Sequence, residues 1–346
     1  MESRKEIIDP LQYGGWDELA LSLNGYSFFH SRSWARVLSS AYGYRPYYAV
    51  YLKNGCPTAA WPIMEIRSPW SGRKGVALPF SDHCEPLLGK EDQFHDLLDR
   101  VFGLARKMKW KTIELRGAGR FLHDSPMAAN YNLHVLDLHP AEREMVKRLR
   151  SSTRRNINKA LKENIEISVD TSIEFLEAFY RLNCLTRKHH GLPPQPLKFF
   201  KMLYKHILSE NKGIVVLARH HKQTIAGAVF LHFGDTATYK YGASHRDYLS
   251  LRPNNLVMWE AIKWYAARGY RKFDMGRSEP DNRGLNQFKN GWGAAARTIA
   301  YYRFDVSRNL FIESETTVPP LIHHAFRAMP VPLLRLIGTL AYRHMG

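Results

Sequence analysis

Cysteine is scarce: Cys56, Cys84 and Cys184 are the three in 346 residues, and none is spaced as a C-x-x-C pair or a zinc ligand set. A disulfide framework and a structural zinc site are therefore not expected, and the usage fits a reducing compartment. Long apolar runs are also missing. No stretch reaches the roughly 18 residues that a membrane span requires, and MESRKEIIDPLQYGGW lacks the apolar core and small-residue cleavage site of a signal peptide. The expected location is the cytoplasm. There is no glycine-rich phosphate cradle and no short internal period. Acidic residues are few beside basic ones: 32 Asp and Glu against 50 Lys and Arg give a net charge of +18 and a pI near 9.8. Such a balance favours polyanionic partners, whether nucleic acid, nucleotide-linked substrates or anionic membrane surfaces.

What is present is ample apolar material, 45% of a chain too long for one ordinary core, so two globular units are expected. In the first half, Trp34, Val37, Leu38 and Ala41 recur at helical spacing behind Ser31 or Ser33. Strand-like runs 48–53 and 58–66 then flank Asn54-Gly55, a pair suited to a tight hairpin turn. KGVALPF, a helix over 91–109 and the strand TIELRG follow. The second half repeats the order: helices over 172–190 and 196–210, the strands GIVVLAR, TIAGAVFLHF and TATYKYGAS, a helix over 253–268, and the strand YRKFDMG. Each half reads helix, hairpin, strand, helix, strand, which points to two α/β domains meeting near 138–150.

Between them, Arg148, Arg150, Arg154, Arg155, Lys159 and Lys162 crowd the polar faces of two short apolar stripes. Two readings stand: a solvated basic surface, or an anion clamp with Arg154 and Arg155 near a helix start. The segment HRDYLSLRPNNLVMWEAI places Pro253 at a helix start with Arg246 and Arg252 nearby; it suits either a phosphate on free N–H groups or capping by Ser250 or Asn254. The stretch 276–295 carries four glycines, two carboxylates and two aromatics, and reads as a long binding loop. The histidine pairs at 189–190, 220–221 and 323–324 are adjacent residues that point different ways, so no metal is expected. Asp82-His83-Cys84-Glu85 looks reactive on paper but reads as a supporting loop, because sequence neighbours seldom form a triad.

Three stretches, RSSTRRNINKALKENIEI, YKYGASHRDYLSLRPNNLVMWEAIKWYAARGYRKFDMG and GLNQFKNGWGA, together resemble the Fem (FemABX-like) branch of the GNAT acyltransferase superfamily, including relatives found with polysaccharide export genes. The likeness is good over 140–305 and looser over YGYRPYYAVY and LPFSDHCEP. It implies an α/β fold of two tandem GNAT-like domains, each a mixed, mostly antiparallel sheet flanked by helices. It also implies transfer of an acyl or aminoacyl group from an activated ester or thioester to an amine of a peptidoglycan or exopolysaccharide precursor. The Phe-Lys pair that such enzymes hold at the reacting carbonyl matches Phe288 and Lys289. Lys289 is expected to be exposed to substrate, where a fixed ammonium would stabilise the tetrahedral oxyanion. Asp274, at a strand end, is the candidate base, with Glu279 and Asp281 as alternatives. Tyr241, Arg246, Arg252, Asn254 and Trp292, all within the matching stretches, join Arg154 and Arg155 as candidate substrate contacts. No cofactor beyond the donor is expected; that donor is acyl-CoA, an acyl carrier or aminoacyl-tRNA, which would make tRNA a partner.

The expected boundaries are a first domain over 1–138, a second over 139–310 and a helical tail over 311–346. In the tail, Leu333, Leu334, Leu336, Ile337 and Leu340 form one apolar face beside Arg335, Arg343 and His344. It either packs back on a domain or lies on anionic headgroups at the inner face of the cytoplasmic membrane. The rival reading from another class is a non-catalytic protein that binds nucleic acid through its charge alone.

Overall fold

The computed structural model describes residues 3–54, 56–313 and 320–345, so Gly55 of the expected hairpin turn and 314–319 of the tail lie outside the described residues. The chain forms two compact units. The first comprises residues 1–131, 298–316 and 341–346, and the second 132–297 and 317–340.

The first unit opens with β1 (Ser3–Ile8), α1 (Trp16–Ser22) and α2 (Arg32–Tyr42). Ser31 caps α2 by accepting from the Trp34 amide at 3.2 Å, as its place before the apolar stripe predicts. Then come β2 (Arg45–Pro46), β3 (Tyr48–Lys53), β4 (Cys56–Trp61), β5 (Met64–Ser68), β6 (Gly72–Val76), β7 (Leu87–Leu88), α3 (Gln93–Met108) and β8 (Thr112–Arg116). β1, β3, β4 and β7 make an antiparallel sheet, and α3 packs on it through Phe94, Leu97 and Val101. β2, β5 and β6 continue antiparallel, and β6 meets β8 in parallel, with α3 as the crossover. Trp16, Trp34, Trp61 and Tyr48 are wholly buried, and they explain why this half is rich in aromatics.

The second unit takes its first strand from the end of β9 (Ala129–Asp137) and continues with α4 (Glu142–Arg148), α5 (Ser151–Lys162), β10 (Glu166–Asp170), α6 (Ile173–His189) and α7 (Leu197–His206). β11 (Gly213–His220), β12 (Gln223–Phe233), β13 (Thr236–Ser244), α8 (Pro253–Ala266), β14 (Lys272–Ser278) and α9 (Arg283–Asn290) follow. The sheet order is β10-β11-β12-β13-β14-β9, antiparallel except for β13 with β14, which α8 connects in parallel. A parallel pair bridged by a helix inside an otherwise antiparallel sheet thus occurs in both units. The second core is built from α8 (Leu256, Trp259, Ile262, Tyr265), α5 (Ile157, Ala160) and one face of the sheet. The chain ends with β15 (Ala295–Asp305), whose residues from Thr298 onward belong to the first unit and pair with β8, then β16 (Leu310–Ile312), α10 (Pro320–Ala328) and α11 (Val331–Met345). Among the described residues, no helix is long and apolar enough to cross a membrane.

Candidate active site

In the second unit, the parallel pairing of β13 with β14 runs through Thr236↔Lys272, Ala237↔Phe273 and Thr238↔Asp274 and then stops, although β13 continues to Ser244 and β14 to Ser278. Each strand stays attached to its other neighbour. β13 follows β12 as far as Ser244↔Ala226, and β14 follows β9 as far as Ser278↔Asn132. Both ladders carry an irregularity here, between Val229 and Phe230 on β12 and between Asp274 and Arg277 on β14. Bulges bend strands and raise their twist, so the two part company and leave an opening at the carboxyl ends of a parallel pair.

Asp274 stands at the last paired position, 3% exposed, and its Oδ1 accepts from the Gly276 amide at 2.7 Å. The ammonium of Lys289 donates to the carbonyls of the same Gly276, at 2.7 Å, and of Arg277, at 2.9 Å. The two candidates drawn from the sequence therefore converge on one bulged residue of β14. Lys289 is nevertheless not the exposed loop lysine that was expected. It is 2% exposed and sits in α9, a helix within the stretch read as a loop. Asn282 nucleates that helix by accepting from the Leu285 amide at 3.1 Å, and Asn286 ties it down by donating to the carbonyls of Glu279 at 2.8 Å and Asn282 at 2.9 Å.

The end of α9 is fixed by close approach to the basic segment. A Cβ on Gly291 would lie 2.3 Å from Thr153 Oγ1, and the Arg150 amide donates to the Gly291 carbonyl at 3.0 Å. RSSTRRN and QFKNGWG, far apart in sequence, are thus one structural joint. Trp292 lies within that joint, fully buried and stacked on Trp259 with ring centroids 6.5 Å apart; Phe288 meets it edge-on at 5.8 Å. Trp292 is a core residue, which corrects its reading as a substrate contact. A tryptophan between glycines looks like a loop aromatic until α8 is known to lie beneath it.

On the other side of the opening, α8 starts at Pro253 after Arg252, which has a φ of 62° and supplies no side-chain cap. Capping by Ser250 or Asn254 is therefore not what the structure shows. Asn254 instead donates to Ser244 Oγ at 3.3 Å, tying the helix start to the end of β13. The first-turn amides of α8 are left without a side-chain acceptor, and Arg246 and Arg252 are exposed beside them. Tyr241, partly buried on β13, packs against Phe199 and Phe200 of α7. Arg154 and Arg155 are exposed in the first turns of α5, and Arg154 donates to the Val146 carbonyl at 3.0 Å.

Nothing in the local sequence singles out His134. It is 1% exposed on β9, and its pKa is lowered first by burial and then by the positive charge of Lys289, while Asn290 hydrogen-bonds to it. A single histidine in an alternating strand carries no signal until that strand is known to pair with β14. In the first unit, Cys84 is fully buried with Sγ 3.7 Å from His30 Nε2, and burial pushes its thiol well above the ordinary range. That is an inert cysteine, in keeping with a supporting loop.

Residues 147–290 match the acetyltransferase (GNAT) domain family. Lipid II:glycine glycyltransferase of Staphylococcus epidermidis is 28% identical over 104 residues, which are 28% of this chain and 25% of that protein. The chain thus matches about a quarter of that relative's length. The structure of FemX is similar with a TM-score of 0.67 at 14% identity, over 86% of this chain and 96% of the other. A tandem GNAT protein from the clavulanic acid biosynthesis pathway follows at 0.55 and 12%, over 88% and 99%. The C-terminal domain of a putative lysylphosphatidylglycerol synthetase from Agrobacterium fabrum gives 0.56 and 14%, over 82% and 90%. Two units that each carry a helix-bridged parallel pair agree with the fold of the tandem GNAT neighbour, and within the second unit residues 147–290 are those that match the acetyltransferase (GNAT) domain family.

Proposed function

We propose that the second unit transfers an acyl or aminoacyl group from an activated ester or thioester to an amine of a cell-envelope precursor. The observation that carries this reading is the opening between β13 and β14, with a buried carboxylate at its apex and an uncapped helix start at its rim. An activated donor of either kind carries phosphate, which the α8 amides with Arg246 and Arg252 suit. The amine attacks the carbonyl carbon, the new C–N bond forms, and the C–O or C–S bond to the carrier breaks. Asp274 is the carboxylate placed to take the proton that the amine loses. Lys289 can face an oxyanion only by leaving two carbonyls, so in the held position it fixes the bulge that shapes the opening. No metal or redox cofactor takes part in this proposal.

A glycyltransferase acting on lipid II among the relatives favours an envelope precursor as acceptor and an aminoacyl group as the one transferred. An enzyme with such an acceptor works peripherally at the inner face of the membrane. Incubating the full chain separately with glycyl-tRNA and with acyl-CoA thioesters, with lipid II or an amino sugar as acceptor, tests the reading by mass spectrometry. Product with one donor, lost in Asp274→Asn, supports it. Salt-sensitive nucleic-acid binding without any product would favour the charge-only alternative.

A further inference from the structure

The exposed side of the second unit beside the C-terminal helix has properties that the transfer reaction does not use. Residues 331–340 of α11 dock through Leu334, which is fully buried, and through Gly338, where a Cβ would lie 2.0 Å from the Pro194 carbonyl oxygen. The expected single apolar face is thereby split. Leu333, Leu336 and Leu340, at helical spacing, are left 45%, 55% and 60% exposed.

Between α6 and α11 runs a groove of about 470 Å³, walled by Leu185, Leu197 and Val331, with Cys184 in its lining. A second cleft of about 240 Å³ shares Tyr180, Leu197 and Arg335 with it and extends to Leu336. Arg335 lies over the Tyr180 ring, 5.5 Å from its centroid, and also hydrogen-bonds to the phenol. Arg181 joins the lining, and Glu177 is its acidic member. From Pro320 to Met345 the sequence has no Asp or Glu and three arginines. An apolar slot beside exposed leucines, with a guanidinium along it and no acidic residue on the outer helices, is complementary to a hydrocarbon chain bearing an anionic head.

We infer that the α6–α11 groove seats one acyl chain of an anionic phospholipid with its phosphate on Arg335, while Leu333, Leu336 and Leu340 enter the same leaflet. This deepens the peripheral placement proposed above and rests on it. The experiment uses neither donor nor acceptor, so its failure leaves the transfer reading untouched.

The full-length Cys56→Ser protein is floated with vesicles of dioleoylphosphatidylcholine, with and without dioleoylphosphatidylglycerol. Binding to the glycerol-lipid vesicles is expected, weakened by salt. Leu333→Ser/Leu336→Ser/Leu340→Ser, all at exposed positions, should lower it at least about tenfold with an unchanged melting temperature. Arg335→Gln should cut the preference for the anionic lipid by about fivefold. Alkylation of Cys184 by N-ethylmaleimide should slow when these vesicles are present. No vesicle binding, binding indifferent to the leucine substitutions, or a headgroup preference that survives Arg335→Gln would each overturn the inference. So would self-association that the leucine substitutions abolish, since the stripe would then belong to a second copy of the chain.

Discussion

Lys289→Met tests the position of the ammonium directly. Methionine keeps the apolar stem and removes only the charged head, so the packing of α9 is largely preserved. The Gly276 and Arg277 carbonyls then lose the donor now held at 2.7 and 2.9 Å in a region where Lys289 itself is 2% exposed. Each buried acceptor left unsatisfied costs about 1–3 kcal/mol, and release of a desolvated ammonium offsets part of that, so a net loss of about 3 kcal/mol is expected. For a domain of about 150–250 residues this lowers Tm by roughly 6–12 °C. Thermal unfolding followed by circular dichroism reads the change. Amide exchange at Gly276 should accelerate as well, since the Asp274 to Gly276 turn sits on the same bulge. A Tm within about 2 °C of the parent, together with abolished transfer, would refute the reasoning and show that the lysine serves the substrate and not the strand.

Gly291→Ala should destabilise by about 1–3 kcal/mol, because its Cβ meets Thr153 Oγ1 at 2.3 Å; Thr153→Ala in the same chain should recover much of the loss in a double-mutant cycle, and no coupling would place the strain elsewhere. Arg154→Ala with Arg155→Ala, both exposed, should raise KM for donor or acceptor about tenfold with Tm almost unchanged; unfolding with KM intact would make the segment purely structural. His30 is fully buried and its pKa is lowered by burial to about 4, so the unfolded chain binds the proton more readily. Stability from keeping this ring neutral is complete above about pH 6.5 and falls as pH drops toward 4, by about 3 kcal/mol in all, so the stability of His30→Gln should vary less over that range; an identical pH dependence would contradict the assignment.

The order of elements was legible because it is written in local periods. Short continuous apolar runs mark β11 and β12, helical spacing marks α3 and α8, and Ser31 announces α2. The exposure of Arg154 and Arg155 was equally legible, since charge runs face water. What could not be read depends on contacts between distant segments. The glycines of 276–295 suggested a loop, yet Gly291 is there to let Thr153 approach, and Asn282 with Leu285 and Phe288 makes a helix of the middle. Lys289 is buried with its ammonium on the Gly276 and Arg277 carbonyls of β14, and His134 matters only because β9 lies beside β14. In the tail, composition revealed an apolar face, but Gly338 against Pro194 decides which leucines it hides.

The pairing of β9 with β14 also bears on how this protein can be dissected. Residues 147–290 look like a ready-made minimal domain, but Asn132 to Asp137 of β9 are the chain that covers β14 from Lys272 to Ser278. Past Asp274, β14 has already left β13, so a fragment begun at 147 would bare both sides of its distal half. Unpaired strand edges recruit other strands, and such a fragment should aggregate on expression. A fragment retaining residues from 132 onward keeps that edge closed.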